Sequence, residues 1–400
     1  MKKKWSLMAL LLSLSLVLGA CAPANGGTDK EDTTGAGAEQ EETVDEGPAY
    51  QAKLDVIDPA SYGNAQGLAL EKGSYISIIG KSDSGQYWDA VKEGALQAAE
   101  DINKELGYEG DDEIKVTYSG PAKSDDVDEQ VSILDEELDR YPVALGISIA
   151  DMQACEVQFD LAAESDIPVV AFDSGSDYQG LMATVSTDNA EAAAYAAGQM
   201  GELLEGKGQI AVFAPDSKSQ SVLTRVNSFV KQLEKDYPEI QVVSTYYSDQ
   251  MEEMQETVAG EIKAGTYQRG EEAEDPQEVT AEEITEEDIM DYLFAKYPDL
   301  KGCYGVSGES VELITETLDR LEKDDVAVIG FDAEEEEVAA MEEGKVDGLV
   351  VQNPFGMGYA AVIAAARAAC DLNNEAYVNT GYVWMTPDNL ESEEIQNMLY

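Results

Sequence analysis

The sequence predicts an α/β protein made of two lobes, each a parallel sheet flanked by helices, joined by a hinge. From Tyr75 onward, short β-branched runs alternate with helical periods, and the runs "PVALGIS" and "IPVVAFD" are continuously apolar. Strands buried on both faces of a parallel sheet have this composition. The alternation restarts after the alanine-rich segment "AEAAAYAAGQMGELLEG". Two such sets imply two lobes, with a cleft between them at the carboxyl ends of the strands.

The first set begins with strand "YISIIG" and a helix. That helix carries apolar residues at i, i+3 and i+4 spacing, namely Trp88, Val91, Ala95, Ala98 and Ile102. Strand "IKVTYSG" and helix "DVDEQVSILDEEL" come next, and the two continuously apolar runs bracket a helical stretch from Met152 to Glu164. Strands and helices in this order predict right-handed parallel crossovers.

The second set follows the same rhythm with one interruption. Its strands are "QIAVFAP", "IQVVSTYYS", "GCYGVS", "VAVIGFD" and "VDGLVVQNP", and "SQSVLTRVNSFVKQLEK" is a helix. The acidic segment 266–287 interrupts them and is interpreted as an inserted surface loop. Within it, Thr280 and Thr285 are predicted helix N-caps. A solvated excursion is one interpretation of this insert, and docking of a partner is the other.

The N-terminus is typical of an exported lipoprotein. Residues 1–20 combine a basic start with an apolar run that is too short for a membrane span, which needs about 20 apolar residues. "LGAC" is similar to the bacterial lipobox, so Cys21 is the predicted site of lipid modification and of anchoring to the outer face of the cell membrane. An ordinary signal peptide with a chance cysteine is the alternative. Residues 21–72 are predicted to be a flexible linker.

Composition excludes several classes of function. A net charge of -57 leaves no basic surface for nucleic acid, and it disfavours a strongly anionic ligand. Histidine is absent, which removes Ser-His-Asp and Cys-His catalysis and histidine metal sites. Cys155, Cys303 and Cys370 lie in apolar stretches without CxxC spacing, so they are predicted core residues. We expect no metal and no cofactor.

The stretch "IIGKSDSGQYWDAVKEG" raises the question of a phosphate-binding loop. A Walker A motif needs four residues between its two glycines, whereas the glycine before Gly80 is Gly73, with strand formers between them. The phosphate interpretation is therefore weak. The aromatic pair Tyr87 and Trp88 at the start of the helix offers a ring face instead.

Polar residues follow the strands where a cleft is expected. Asp173 ends "PVVAFD", Asp332 ends "VAVIGFD", and Gln352 ends "LVVQ". Carboxylates at these places accept hydrogen bonds from the hydroxyls of a sugar, and aromatic rings cover its faces. Each residue also has an ordinary alternative, because an Asp after a strand is often a cap and Trp88 could belong to the core.

Taken together, these segments resemble the type I periplasmic sugar-binding proteins, the family of ribose-binding protein, from Gly73 to about Leu390. The resemblance depends on "QYWDAVKEGA", "DIPVVAFD", "VSTDNAEAA", "LTRVNSF", "YPDLKGCYG", "VAVIGFD" and "GLVVQNPFGMG". It implies two Rossmann-like lobes, with residues 73–187 and 353–384 in the first and residues 188–352 and 385–400 in the second.

The resemblance also implies roles for single residues. Tyr87 and Trp88 correspond to the stacking aromatics and Asp173 to the carboxylate of the first lobe. In the second lobe, Arg225 corresponds to an arginine donor, Asp332 to a carboxylate, and Gln352 to an amide near the hinge. A surface salt bridge is the alternative for Arg225.

The chain departs from the family at three positions of the implied site. Serine replaces a longer polar side chain at Ser148, Ser174 and Ser307, which are also predicted to face the ligand. The shorter side chains predict a roomier pocket with fewer donors, and hence a ligand other than ribose.

The function implied by the resemblance is that of an extracytoplasmic lipoprotein. The protein, expected to be a monomer, would capture a sugar, expected to be a monosaccharide, and deliver it to the permease of an ABC importer without any chemical step. Two alternatives stay open: a sensory binding protein for a nucleoside or furanose signal, and a carbohydrate-active enzyme that uses Asp173 and Asp332 as an acid/base pair.

Overall fold

The computed structural model describes residues 48–270 and 276–400, which belong to one compact unit with two six-stranded sheets. The predicted signal segment and Cys21 lie outside the described residues. Within the described part, no helix is both long and apolar enough to cross a membrane. The two sheets and their flanking helices confirm the predicted two-lobe α/β class.

The first lobe has a parallel sheet with strand order β11-β5-β4-β3-β1-β2. Continuous apolar runs in β1, β3 and β4 are almost wholly buried, as a sheet covered on both faces requires. Its elements are α1 (Gln51–Asp55), β1 (Tyr75–Ile79), α2 (Gln86–Leu106), β2 (Lys115–Ser119), α3 (Val127–Leu138), β3 (Ala144–Ile147), α4 (Glu156–Glu164), β4 (Val169–Phe172), β5 (Thr184–Ser186), α11 (Pro354–Ala369) and β11 (Tyr377–Asn379).

The second lobe repeats this plan in the order β12-β10-β9-β8-β6-β7, with β12 antiparallel to β10. Its elements are α5 (Asn189–Leu203), β6 (Lys207–Ala214), α6 (Gln220–Asp236), β7 (Glu239–Tyr247), α7 (Met251–Ala264), α8 (Glu286–Lys296), β8 (Leu300–Gly305), α9 (Gly308–Arg320), β9 (Ala327–Phe331), α10 (Glu335–Glu342), β10 (Gly348–Gln352), β12 (Tyr382–Met385) and α12 (Glu393–Gln396).

The chain passes between the two sheets three times: after β5, after β10, and between β11 and β12. We predicted that the chain enters the second lobe for the last time after residue 384. The structure places this crossing before β12, because β12 pairs with β10 in the second sheet. Only two residues separate β11 from β12, a connection too short to be recognised from hydrophobic periodicity.

Residues 48–72 pack on the first lobe, which corrects the predicted linker 21–72 over this part. Leu54, Ile57, Tyr62, Leu68 and Leu70 are buried in the core of that lobe. They are spaced without helical or strand periodicity, so their burial against the lobe could not be predicted from the sequence pattern.

The acidic insert is structured where it joins α8. Thr280 and Thr285 both form capping boxes, which confirms the two predicted N-caps. Val279 and Ile284 are buried in the core of the second lobe. This end of the insert is therefore attached to the lobe rather than solvated.

Two glycines let α2 and α11 cross at close range. A Cβ atom at Gly94 would lie 1.9 Å from the carbonyl oxygen of Phe355, and one at Gly358 would lie 1.8 Å from that of Val91. Both distances are far below van der Waals contact, so only glycine fits. The crossing fixes α2 against α11, and the N-terminus of α2 lies toward the space between the lobes.

Candidate functional site

A cleft of about 200 Å³ lies between the lobes at the carboxyl ends of their strands. This is where ligands bind in open α/β folds. Both lobes contribute to its wall, which includes Lys81, Tyr87, Trp88, Asp125, Asp173, Asp216, Arg225, Ser307, Glu309, Asp332, Glu334 and Gln352.

Asp173 and Asp332 occupy equivalent places in the two lobes. Asp173 follows β4 and Asp332 follows β9, and both have left-handed backbone conformations, with φ of 55° and 75°. Asp is one of the few non-glycine residues that adopts this conformation readily. Each carboxylate thus leaves its strand at a sharp turn and lies on the cleft wall.

The Asp173 carboxylate is held by neighbours within the first lobe. Tyr87 Oη donates to its Oδ1 at 2.9 Å, and Ser148 Oγ donates to its Oδ2 at 2.7 Å. Lys81 Nζ lies 3.9 Å from the same Oδ2. Its orientation is therefore fixed before any ligand arrives.

The Asp332 carboxylate is held by three donors of the second lobe, the longest contact being from Tyr400 Oη to Oδ1 at 3.5 Å. Gln352 Nε2 donates to Oδ1 at 2.6 Å, and the backbone N–H of Gly308 donates to Oδ2 at 3.1 Å. Burial raises the pKa of Asp332, while Arg225, Gln352 and Gly308 oppose the rise.

Arg225 lies on α6 and is only 4% exposed. Its Nε donates to Asn189 Oδ1 at 2.7 Å, Nη1 to the carbonyl of Val306 at 2.8 Å, and Nη2 to Gln352 Oε1 at 2.9 Å. The guanidinium also lies 4.3 Å from the ring centre of Phe331, within cation–π range. Guanidinium has five N–H groups, so two remain for a ligand.

The two aromatic residues at the start of α2 differ in environment. Tyr87 is buried in the core of the first lobe and also lines the cleft, whereas Trp88 is half-buried on the cleft wall. The edge of one ring meets the other, with centres 5.1 Å apart. Trp88 is therefore the better candidate for stacking on a ligand.

The three serines predicted to face the ligand divide into two groups. Ser307 lines the cleft and caps α9, its Oγ accepting from the Ser310 N–H. Ser148 is fully buried behind Asp173, and Ser174 Oγ accepts from the Ser221 N–H at 3.3 Å. Ser148 and Ser174 thus support the wall from behind, since neither is among the residues that line the cleft.

Sequence reasoning missed Lys81. It is 6% exposed, lines the cleft, and lies 3.8 Å from Asp125 and 3.9 Å from Asp173. Burial lowers the pKa of Lys81, but the carboxylates of Asp125, Asp173 and Asp216 outweigh it, so the pKa is raised. Its position two residues after the end of β1, at the edge of the sheet where the cleft was expected, could have identified it.

Sequence reasoning also missed four acidic residues of the cleft: Asp125, Asp216, Glu309 and Glu334. Among 82 acidic residues, nothing in the sequence distinguished them. Burial raises the pKa of Asp125, Glu309 and Glu334. With Asp173 and Asp332, six carboxylates face two cations across the wall, a balance that suits a ligand rich in hydrogen-bond donors and disfavours an anion.

Glu334 joins the two lobes. Its Oε1 accepts from the N–H of Tyr87 at 2.8 Å, in the first turn of α2, where Gly85 provides no side-chain cap. In return, Gln86 Oε1 accepts from the N–H of Glu335 at 3.1 Å, in the first turn of α10. Each helix N-terminus is thus capped by the opposite lobe.

No group of three or more Cys, Asp or Glu side chains within residues 48–270 and 276–400 is arranged to hold a metal ion. Asp173 instead has hydroxyl and ammonium partners, and Asp332 has amide and hydroxyl partners.

This fold and site define a two-lobed binding protein, and comparison with known families agrees. The sequence profile of the family described as periplasmic binding protein domain matches residues 76–373. The chain belongs to this family, which confirms the resemblance drawn from its motifs. No curated protein sequence matches it significantly.

Solved structures with the same fold share about a fifth to a quarter of the sequence. A carbohydrate transporter solute-binding protein from Agrobacterium radiobacter, in complex with D-arabinose, is 24% identical with a TM-score of 0.65, over 82% of this chain and 99% of that one. A solute-binding protein from Agrobacterium vitis with bound D-fucose is 23% identical, with a TM-score of 0.65 over 82% and 100%. GanP, a glucose-galactose binding protein from Geobacillus stearothermophilus, is 20% identical, with a TM-score of 0.64 over 80% and 100%.

Proposed function

We propose that the protein is an extracytoplasmic solute-binding lipoprotein that captures a sugar in the cleft and delivers it to the permease of an ABC importer. The observation that carries this proposal is the pair Asp173 and Asp332, one carboxylate from each lobe facing a single cleft. Sugar hydroxyls donate to both at once, so a bound sugar holds the lobes together. The solute-binding proteins with the same fold, crystallised with D-arabinose and D-fucose, support a sugar as the ligand.

The remaining groups of the wall complete a sugar site. Trp88 offers a ring for the C–H face of a sugar, and Arg225 and Lys81 offer donors to its oxygens. The acidic wall explains why a neutral sugar suits the cleft better than a sugar phosphate. The mechanism is a shift of population: the ligand contacts both lobes only when they are close, so it favours the closed form that the permease recognises.

Anchoring is part of the proposal. The lipid on Cys21 would keep the protein beside the permease, as a monomer on the outer face of the membrane. Mass spectrometry of the mature N-terminus tests this: a diacylglyceryl adduct on Cys21 supports it, and an unmodified cysteine would contradict it.

The sugar-binding proposal is tested by a thermal-shift screen against pentoses, hexoses, nucleosides and furanose signals. A ligand at about a thousand times its dissociation constant adds roughly 4 kcal/mol to the free energy of unfolding. We expect stabilisation by a sugar, accompanied by a fluorescence change that Trp88→Phe abolishes and the control Trp384→Phe retains. Stabilisation only by a nucleoside or a furanose signal would support a sensory binding protein instead of an importer component. Chemical conversion of the sugar would show that the protein is an enzyme.

A further inference from the structure

A second cavity of about 280 Å³ adjoins the cleft. Its wall comes from both lobes: Thr184, Ser186 and Tyr377 from the first, and Asn189, Gln220 and Thr224 from the second. Asp173 and Ser221 line both cavities. Asp173 and Ser221 therefore lie between the two cavities.

Buried polar groups on this wall have unused hydrogen-bonding capacity. Asn189 is 8% exposed, and its Oδ1 accepts from Arg225, but among the described residues its Nδ2 has no acceptor. Ser221 is 5% exposed, and its Oγ likewise has no partner in the described part of the chain. Because Asn189 and Ser221 both line the second cavity, these unpaired atoms are available to a ligand there.

The other wall residues have matching chemistry. The Thr224 hydroxyl and the Gln220 amide also make no side-chain hydrogen bond to the rest of residues 48–270 and 276–400. Tyr377 is 42% exposed, and its hydroxyl donates to the carbonyl of Ser186 at 3.2 Å, which leaves the ring face available. The wall has no lysine or arginine, and its second acid, Asp188, caps α5.

Beside its two carboxylates, Asp173 and Asp188, this wall consists largely of hydroxyls and amides with one aromatic ring, which suits a carbohydrate ring. Hydroxyls and amides both donate and accept, as sugar hydroxyls do, and the ring covers a C–H face. By contrast, the cleft itself is dominated by carboxylates. At about 200 Å³, the cleft is also smaller than the roughly 300 to 1,000 Å³ of most ligand pockets, so a ligand longer than one ring needs further space.

We propose that the second cavity is a subsite for a second sugar unit, and that the ligand is a short oligosaccharide whose linkage passes Asp173 and Ser221. This inference rests on the proposed function. Asn189 couples the two positions, because its Oδ1 accepts from Arg225 at the cleft and the same residue lines the second cavity. A sugar in the second cavity would touch both lobes and add to the closure that the first unit drives.

The test compares monosaccharides with their disaccharides by isothermal titration of the purified protein. Suitable sets are glucose with maltose and cellobiose, galactose with lactose, xylose with xylobiose, and arabinose with arabinobiose. We expect one disaccharide to bind at least tenfold more tightly than its component monosaccharide.

Variants on α6 test whether the tighter binding of the disaccharide arises in the second cavity. Thr224→Phe fills the second cavity and should weaken disaccharide binding at least tenfold more than monosaccharide binding. Thr224→Val removes only the hydroxyl and should give a smaller loss, which guards against misfolding of the larger variant. Asn227→Phe, at an exposed position of the same helix, is the control and should change neither affinity.

Monosaccharide binding without a gain for any disaccharide would overturn the inference and leave the proposed function standing. A disaccharide gain that Thr224→Phe does not reduce would also overturn it. Failure of every sugar to bind would overturn the inference together with the proposed function.

Discussion

Arg225 donates through Nη2 to Gln352 Oε1 at 2.9 Å, so the helix α6 is joined to the last residue of β10, where the chain returns to the first lobe. The other end of the same amide donates to Asp332 at 2.6 Å. Gln352 thus connects the cationic and the anionic residue of the second lobe without a direct salt bridge between them. A single amide at the hinge orients both.

Replacing this amide should weaken ligand binding. In Gln352→Ala, Asp332 and Arg225 each lose a buried partner, and an unsatisfied buried group costs about 1–3 kcal/mol. We expect a sugar dissociation constant at least tenfold higher by isothermal titration. Gln241→Ala, at an exposed position of β7, is the control. An unchanged dissociation constant in Gln352→Ala would show that the amide does not organise the site.

Lys81 should prove to be a ligand-contacting residue. Lys81 is 6% exposed and lines the cleft. Its ammonium makes no hydrogen bond within 3.5 Å to the described residues, and its two carboxylate neighbours lie at 3.8 and 3.9 Å. Lys81→Met keeps the aliphatic stem and removes the donors, so we expect sugar affinity to fall at least tenfold. Lys123→Met, on the exposed loop nearby, should leave affinity unchanged. Equal sugar affinities of the two variants would show that Lys81 does not contact the ligand.

The reciprocal caps between α2 and α10 should stabilise closure. Glu334→Gln weakens the charge-assisted bond to the Tyr87 N–H, and hydrogen bonds to charged groups contribute about 1.5–3 kcal/mol. We expect ligand release at least tenfold faster by stopped flow, and a larger radius of gyration without ligand. Glu335→Gln is the matched control, because only the backbone of Glu335 takes part. Identical release rates in wild type and Glu334→Gln would mean that the caps do not resist opening.

The crossing of α2 and α11 should depend on glycine. Gly94→Ala places a methyl group against the Phe355 carbonyl and forces the helices apart, with an expected loss of about 1–3 kcal/mol in the free energy of unfolding. Gly260→Ala, in α7 with no atom within 4 Å of the added carbon, should instead be neutral or stabilising by up to about 1 kcal/mol. Urea unfolding measures both. A Gly94→Ala variant as stable as wild type would contradict the packing described.

Much of the fold was predictable because apolar periodicity and strand order are local signals. The apolar runs of β3 and β4, the helix α4 between them and the caps at Thr280 and Thr285 all follow from short segments. The burial of residues 48–72 does not, because their apolar side chains are spaced irregularly and depend on distant partners.

The cleft was predictable only in part, for a similar reason. Asp173, Asp332 and Gln352 are marked by their places at strand ends, and the structure puts them on the cleft wall. Whether Ser148 faces the ligand or supports Asp173 depends on side-chain distances across the sheet, which a sequence pattern does not contain. Glu334 gains its position only when the two lobes meet.

The proposal that carboxylates of both lobes hold the sugar is tested most directly by isothermal titration. The sugar found in the thermal-shift screen is titrated into the wild-type protein and into Asp332→Asn. Asn tolerates the left-handed backbone of this position and removes the charge. Asp371→Asn, at an exposed position with φ of 55°, is the matched control. We expect a dissociation constant at least tenfold higher for Asp332→Asn and an unchanged one for Asp371→Asn. Wild-type affinity in Asp332→Asn would contradict the claim that the sugar is held between carboxylates of the two lobes.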